Sequence, residues 1–173
     1  MSEKSVGEVG PVSFGEKLAN SQAFLQLFRE GMGLVEETAA YLDGPGRQDS
    51  KKLQRAAALA YATESMRLTT RLMQLASWLL LHRAVNEGEM SLAQANTEKT
   101  KVKLSAGDSM DEQTLAILPE RLRDLIARSK RLQAKVRRLD ATIHASASRE
   151  PPSSNAVDRQ IDLLRAAFER REG

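Results

Sequence analysis

Apolar residues recur at alternating steps of four and three over most of the chain, the spacing that lays one continuous face along an α-helix. The pattern is densest between Tyr61 and His82. There Leu68, Leu72, Leu75, Leu79 and His82 share one line, while Met66, Met73, Ala76, Trp78, Leu80 and Leu81 carry apolar surface around the rest of the cylinder. A helix that is apolar on more than one side needs more than one neighbour, so this stretch predicts a central helix. Its neighbours are two further seams. Phe14, Leu18, Ser21, Leu25, Phe28, Met32, Val35, Ala39 and Leu42 precede it; Leu118, Leu122, Leu125, Ser129, Leu132, Val136, Leu139 and Ile143 follow it.

The punctuation between seams sets the boundaries. Ser13 and Glu16 have the form of a capping box, which predicts a first helix over about 14–43, ended by Gly44-Pro45-Gly46. Gly31 and Gly33 within it each weaken the helix by about 1 kcal/mol, so a close backbone approach or a kink is expected there. Ser50 is the expected cap of a second helix over about 50–87, whose Ala-rich first turns suit tight packing in an antiparallel hairpin. Periodicity is lost over 89–110, which reads as a mobile loop. A helical turn over Asp111–Leu118 and Pro119 then lead into a third long helix, the whole element spanning 111–146.

The predicted fold is therefore all-α: an antiparallel three-helix bundle over 13–146, with a disordered leader at 1–12. Residues 147–173 are a linker followed by a short amphipathic segment. Val157, Ile161, Leu164 and Phe168 share one face of it, suited to a fourth docked helix or to a tether for a partner's groove.

Composition removes most chemistry. The 173 residues contain no Cys, which excludes disulfides, thiolate catalysis and Cys-ligated zinc. His82 and His144 are the two histidines, and the Glu-x-x-His pattern of di-iron bundles is missing, as are HExxH, GxGxxG and the phosphate-binding P-loop pattern. No catalytic, metal or cofactor site is expected, and His82, at the end of an apolar line, reads as a packed or capping histidine. The polar start and the lack of any long apolar run imply neither a secretory leader nor a membrane span, and hence a cytoplasmic protein.

Charge adds two candidates. Glu64, Arg67 and Arg71 form one stripe at helical spacing, either as solvated ion pairs or, with Trp78 left uncovered beside them, as a partner or dimer surface. Eight Lys and Arg residues between Arg121 and Arg138 give the third helix a basic character. This suits a solvated, protein-contacting helix or, as the alternative, a helical nucleic-acid-binding regulatory module lying along phosphates. Glu36 and Glu37 read as ordinary surface charge.

The run NSQAFLQLFREGMGLVEETAAYLD from Asn20 to Asp43, together with Tyr61–Leu80 and Arg83–Glu89, resembles the RcdA family, the alphaproteobacterial regulators of CtrA degradation. The resemblance extends over about residues 13–92. It implies a dimerising three-helix bundle without enzymatic activity that serves as an adaptor for the ClpXP protease. Its implied partners are a CpdR-like protein that primes the protease, a PopA-like cyclic-di-GMP effector and CtrA-like cargo in cell-cycle control, partners that would also concentrate the chain at a cell pole.

Overall fold

The computed structural model describes residues 21–99 and 110–149, and among them every regular element is a helix. In chain order these are α1 (Gln22–Asp43), α2 (Pro45–Lys51), α3 (Arg55–Asn86), α4 (Leu92–Lys99), α5 (Glu112–Ala116) and α6 (Glu120–Arg149). The predicted Ser13–Glu16 capping box, the seam positions Phe14 and Leu18, and the tail face of Val157, Ile161, Leu164 and Phe168 lie outside the described residues.

Ser21, expected inside the first seam, is instead a helix cap. Its backbone is extended (φ −72°, ψ 156°), and its hydroxyl oxygen accepts the Phe24 amide at 3.3 Å. The buried line of α1 is Phe24, Leu27, Gly31, Leu34, Thr38 and Tyr41, about one residue round from the predicted seam. Phe28, Met32, Val35 and Leu42 flank this line half-buried, and Leu25 is 42% exposed. Counting apolar residues passed over the true line because two of its members, Gly31 and Thr38, are not apolar side chains. Gly31 is there for space: a Cβ on it would collide with Leu79 Cδ1 of α3 and lie 3.6 Å from Leu132 Cδ2 of α6. Gly33 faces open space.

Gly44 ends α1 and Pro45 starts α2, where a missing amide proton costs nothing. Ser50 does not cap the long helix as predicted. It sits inside α2 with its hydroxyl donating to the Arg47 carbonyl at 3.0 Å, and α3 begins at Arg55 after an extended Gln54. The turn is locked by Tyr41, which donates to Asp49 Oδ2 at 3.0 Å, and by Gly46, which is buried against Tyr41 and Tyr61.

The first two long helices form the expected antiparallel hairpin, but the third runs parallel to the second rather than antiparallel to it. Gly31 meets Leu79 while Gly46 meets Tyr61, so α1 and α3 run in opposite directions. Glu30 pairs with Lys135 at 2.8 Å and Glu37 with Arg128 at 2.7 Å, one heptad apart on both helices, so α1 and α6 also oppose each other. Contacts between α3 and α6 advance together, Arg71 with Ser129 and then Trp78 with Asp140, so those two helices are parallel. A parallel pair needs a connection that returns along the bundle. The segment expected to be a mobile loop helps make that return: α4 packs on α3, with Ala95 1% exposed.

The expected lines on the other two helices are the core. On α3 these are Leu68, Leu72, Leu75, Leu79 and His82; on α6 Leu122, Leu125, Ser129, Leu132, Val136 and Ile143 are buried, with Leu118 just before the helix. Trp78, Tyr41 and Phe24 are the bulkiest fully buried side chains. Glu37, expected to be ordinary surface charge, ties α1 to α6. The hydrogen bond from Arg128 holds its carboxyl below the usual range, against a smaller opposing effect of burial. Half-exposed pairs of this kind add at most about 1 kcal/mol each, so they select register more than they stabilise.

The two glycine environments give opposite expectations for Ala. At Gly46 a Cβ would lie 2.7 Å from the Tyr41 carbonyl oxygen, which cannot move without opening the turn. Gly46→Ala should therefore cost about 1–3 kcal/mol of stability. Gly33→Ala should add about 0.5–1 kcal/mol by removing backbone freedom from the unfolded chain. Urea unfolding of both variants checks the pair; a neutral Gly46→Ala would refute the close approach.

Candidate functional site

A cluster of polar side chains lies where α3, α4 and α6 meet. Burying a Trp ring leaves its N–H in need of an acceptor; Trp78 Nε1 donates to Asp140 Oδ1 at 2.9 Å. Lys99, at the end of α4, donates to the same oxygen, and its Nζ lies 3.3 Å from His144 Nε2. His82 packs against the indole, with ring centroids 4.1 Å apart and the planes tilted by 37°. Burial alone would raise the Asp140 pKa, but the hydrogen bonds from Lys99 and Trp78 and the charges of Lys99 and His144 together hold it below the usual carboxylate value. Burial drives His82 down to about 4; Asp140 opposes that shift and Lys99 and His144 add to it. His82 is thus neutral near pH 7. Its Nδ1 has no hydrogen-bond partner. An acid already engaged by two donors and a neutral, buried imidazole form a clamp between helices.

The residues predicted as a partner surface have a different place. Trp78, expected to be uncovered, is 0% exposed because α6 supplies the acceptor for its N–H. Glu64 is buried at the helix flank and receives Arg67 at 2.8 Å. Arg71 is half-buried and donates to Ser129 Oγ at 3.0 Å, and Ser129 donates onward to the Ile126 carbonyl at 2.7 Å. Their shared stripe is real, but it points at the seam between α3 and α6. Of these four residues only Arg67 is exposed. Sequence reasoning missed Lys99 and Asp140. Asp140 stands four residues before His144 on the same helical face, a spacing that could have drawn attention to it.

Two grooves mark the ends of the bundle. One, of about 320 Å³, lies between the start of α1 and the end of α3, lined by Phe24, Leu25, Phe28, Arg29, Arg83 and Asn86 among others. The Arg83 guanidinium sits 4.9 Å over the Phe28 ring, and its Nε binds Glu87 at 2.8 Å. The other, about 650 Å³ and wide open, lies between α2 and the start of α6, with Asp49, Lys52, Glu120, Arg121 and Asp124 at its edge. Among the described residues no group of three or more His, Asp or Glu could hold a metal ion. No described helix is long and apolar enough to cross a membrane. The basic row of α6 is interrupted, since Arg128 and Lys135 pair with α1 and Arg121 lies 5.3 Å over the Tyr41 ring.

A family model described as "Protein of unknown function (DUF1465)" matches residues 15–168. The chain belongs to this family. The crystal structure of RcdA from Caulobacter crescentus CB15 is similar to it, with 54% sequence identity, a TM-score of 0.61, and a match covering 74% of this chain and 96% of that one. A search of the curated proteins returned no match. The match to RcdA bears out the family resemblance read from the runs at Asn20–Asp43, Tyr61–Leu80 and Arg83–Glu89.

The clamp predicts a defined pH response. A His82 whose folded pKa lies near 4, against 6.5 for the ordinary group, binds fewer protons folded than unfolded, so stability falls as pH drops through that window. The loss approaches about 3 kcal/mol at the acid end. Asp140 adds a loss of the same sign at lower pH, below the ordinary carboxylate value, as its carboxylate is protonated. His82→Phe should flatten the slope of unfolding free energy between pH 6.5 and 4 and leave the more acidic limb. Trp78→Phe, which removes one donor from Asp140, should cost about 1–3 kcal/mol at pH 7. Urea titrations across pH measure both; an unchanged slope in His82→Phe would refute the assignment.

Proposed function

We propose that the chain is a non-enzymatic adaptor that delivers CtrA-like regulatory proteins to the ClpXP protease in cell-cycle control. The observation that carries this reading is the 54% identity to RcdA in a match covering 96% of the chain in that crystal structure. At the coarser level it makes the chain a regulator related to CtrA degradation. The structural counterpart is the use of its buried ionisable groups. Asp140 and Lys99 are spent on holding helices together, and His82 is kept neutral, which suits a scaffold.

An adaptor acts by raising the local concentration of cargo at the unfoldase, an effect that needs two binding surfaces and no chemistry. In this reading CpdR-like and PopA-like factors are co-partners, the chain works as a homodimer in the cytoplasm, and partners concentrate it at a pole. The amphipathic face of Val157, Ile161, Leu164 and Phe168 serves as a tether.

Reconstituted degradation tests the proposal. A CtrA-like cargo, ClpXP, a CpdR-like protein and a PopA-like protein with cyclic-di-GMP are mixed with and without the chain. Its addition should shorten the half-life of the cargo, and an unchanged half-life overturns the adaptor reading. Removing residues 147–173 should slow delivery; full delivery by the truncated chain would take the tail out of the mechanism while leaving the adaptor in place.

A further inference from the structure

The surface of α3 that faces away from the bundle is apolar at heptad intervals. Leu59, Met66, Met73 and Leu80 are 71%, 72%, 66% and 53% exposed, and each stands seven residues from the next. The positions between them on this face are small: Ala62, Thr63, Thr69, Thr70, Ala76 and Ser77. No Asp, Glu, Lys or Arg points along the face between Ala58 and Ala84, since Glu64, Arg67 and Arg83 lie to the sides or behind. Three of its four hydroxyls are already served. Thr63 donates to the Leu59 carbonyl at 3.0 Å, Thr69 to Ser65 at 2.9 Å and Ser77 to Met73 at 2.8 Å. This surface can lose its water without orphaning those donors, which ordinary solvated helix faces cannot do.

The order of side chains identifies the occupant. Read from either end about Thr69 and Thr70, the face gives the same sequence of sizes: Leu, a small pair, Met, Thr, Thr, Met, a small pair, Leu. A second helix of the same sequence laid antiparallel sets Leu59 against Leu80, Met66 against Met73 and Thr69 against Thr70, large residues meeting beside small ones as interdigitation requires. The charges bounding the face agree. Arg55 stands at one end and Glu87 at the other, so antiparallel copies bring opposite charges together and parallel copies bring like charges together. The chain's own tail is a poorer fit: Val157 to Phe168 is 12 residues of apolar pattern against 22 from Leu59 to Leu80.

We propose that the outward face of α3 is where two copies of this chain pair, antiparallel and centred on Thr69 and Thr70. This rests on the reading that the chain is a homodimer and assigns the surface that makes it one.

The native chain has no cysteine, so single substitutions give clean probes. Thr69→Cys and Thr70→Cys should each form a disulfide-linked dimer with themselves under mild oxidation. Leu59→Cys and Leu80→Cys should each form no disulfide alone and crosslink when mixed, because like positions at the ends lie about 30 Å apart at 1.5 Å of rise per residue. Self-crosslinking of Leu59→Cys would overturn the antiparallel arrangement, and no crosslinking at any of these positions would overturn the interface. Sedimentation of the full chain separates the two levels of failure. Met66→Glu with Met73→Glu, both exposed and so harmless to folding, should weaken dimerisation about 100-fold or more by placing charges in an apolar contact. A wild-type dimer that survives these changes puts the contact elsewhere and leaves homodimerisation standing. A wild-type monomer at all concentrations removes both readings. A monomer that pairs only after removal of 150–173 assigns the face to the tail instead.

Discussion

A carboxylate taken out of water must be matched by donors where it lies, and Asp140 sets the geometry of one end of the bundle through that requirement. Its two donors come from different elements. Trp78 reaches it from α3 and Lys99 from α4, while Asp140 itself belongs to α6. The carboxylate thus fixes the register of the parallel pair and pins a connecting helix whose own apolar content would not hold it. The indole bound to Asp140 also closes one face of His82, whose burial favours the neutral ring.

The other half of the arrangement is steric. Because Gly31 lacks a side chain, α1 can settle against both Leu79 of α3 and Leu132 of α6. Its heptad-spaced acids then fall opposite the basic residues of α6. These pairs are too exposed to supply much energy. A register slip would nevertheless break both together, which is how weak contacts specify one alignment.

What could be read from the chain follows from which forces leave a periodic trace. Burial does, so the three long helices and the core lines of α3 and α6 were legible residue by residue. Direction does not: heptads look the same read up or down, and only the length and packing of the connection decide whether α3 and α6 are parallel. Small and polar residues in a buried line are equally silent, which is why Gly31 and Thr38 displaced the predicted seam of α1. The stripe of Glu64, Arg67 and Arg71 was visible, but not the direction it faced, because that was set by Ser129 on a helix far away in sequence. Asp140 and Lys99 escaped for the same reason, being joined only by folding.

Trp78 and Met73 show how one helix separates two tasks. The dense apolar run from Tyr61 to His82 looked like a helix wrapped on most sides, with Trp78 left over as the exposed remnant. In the folded chain the polar handle of Trp78 lets it be buried completely, since Asp140 can satisfy it. Met66 and Met73 have no such handle to draw α6 or α4 over them and stay at the surface. The apolar surplus of the central helix is therefore concentrated on one outward face. A helix that ties its buried polar groups to its neighbours and gathers its spare apolar surface on one outward stripe has separated holding the fold from contacting others, the division of labour a scaffold requires.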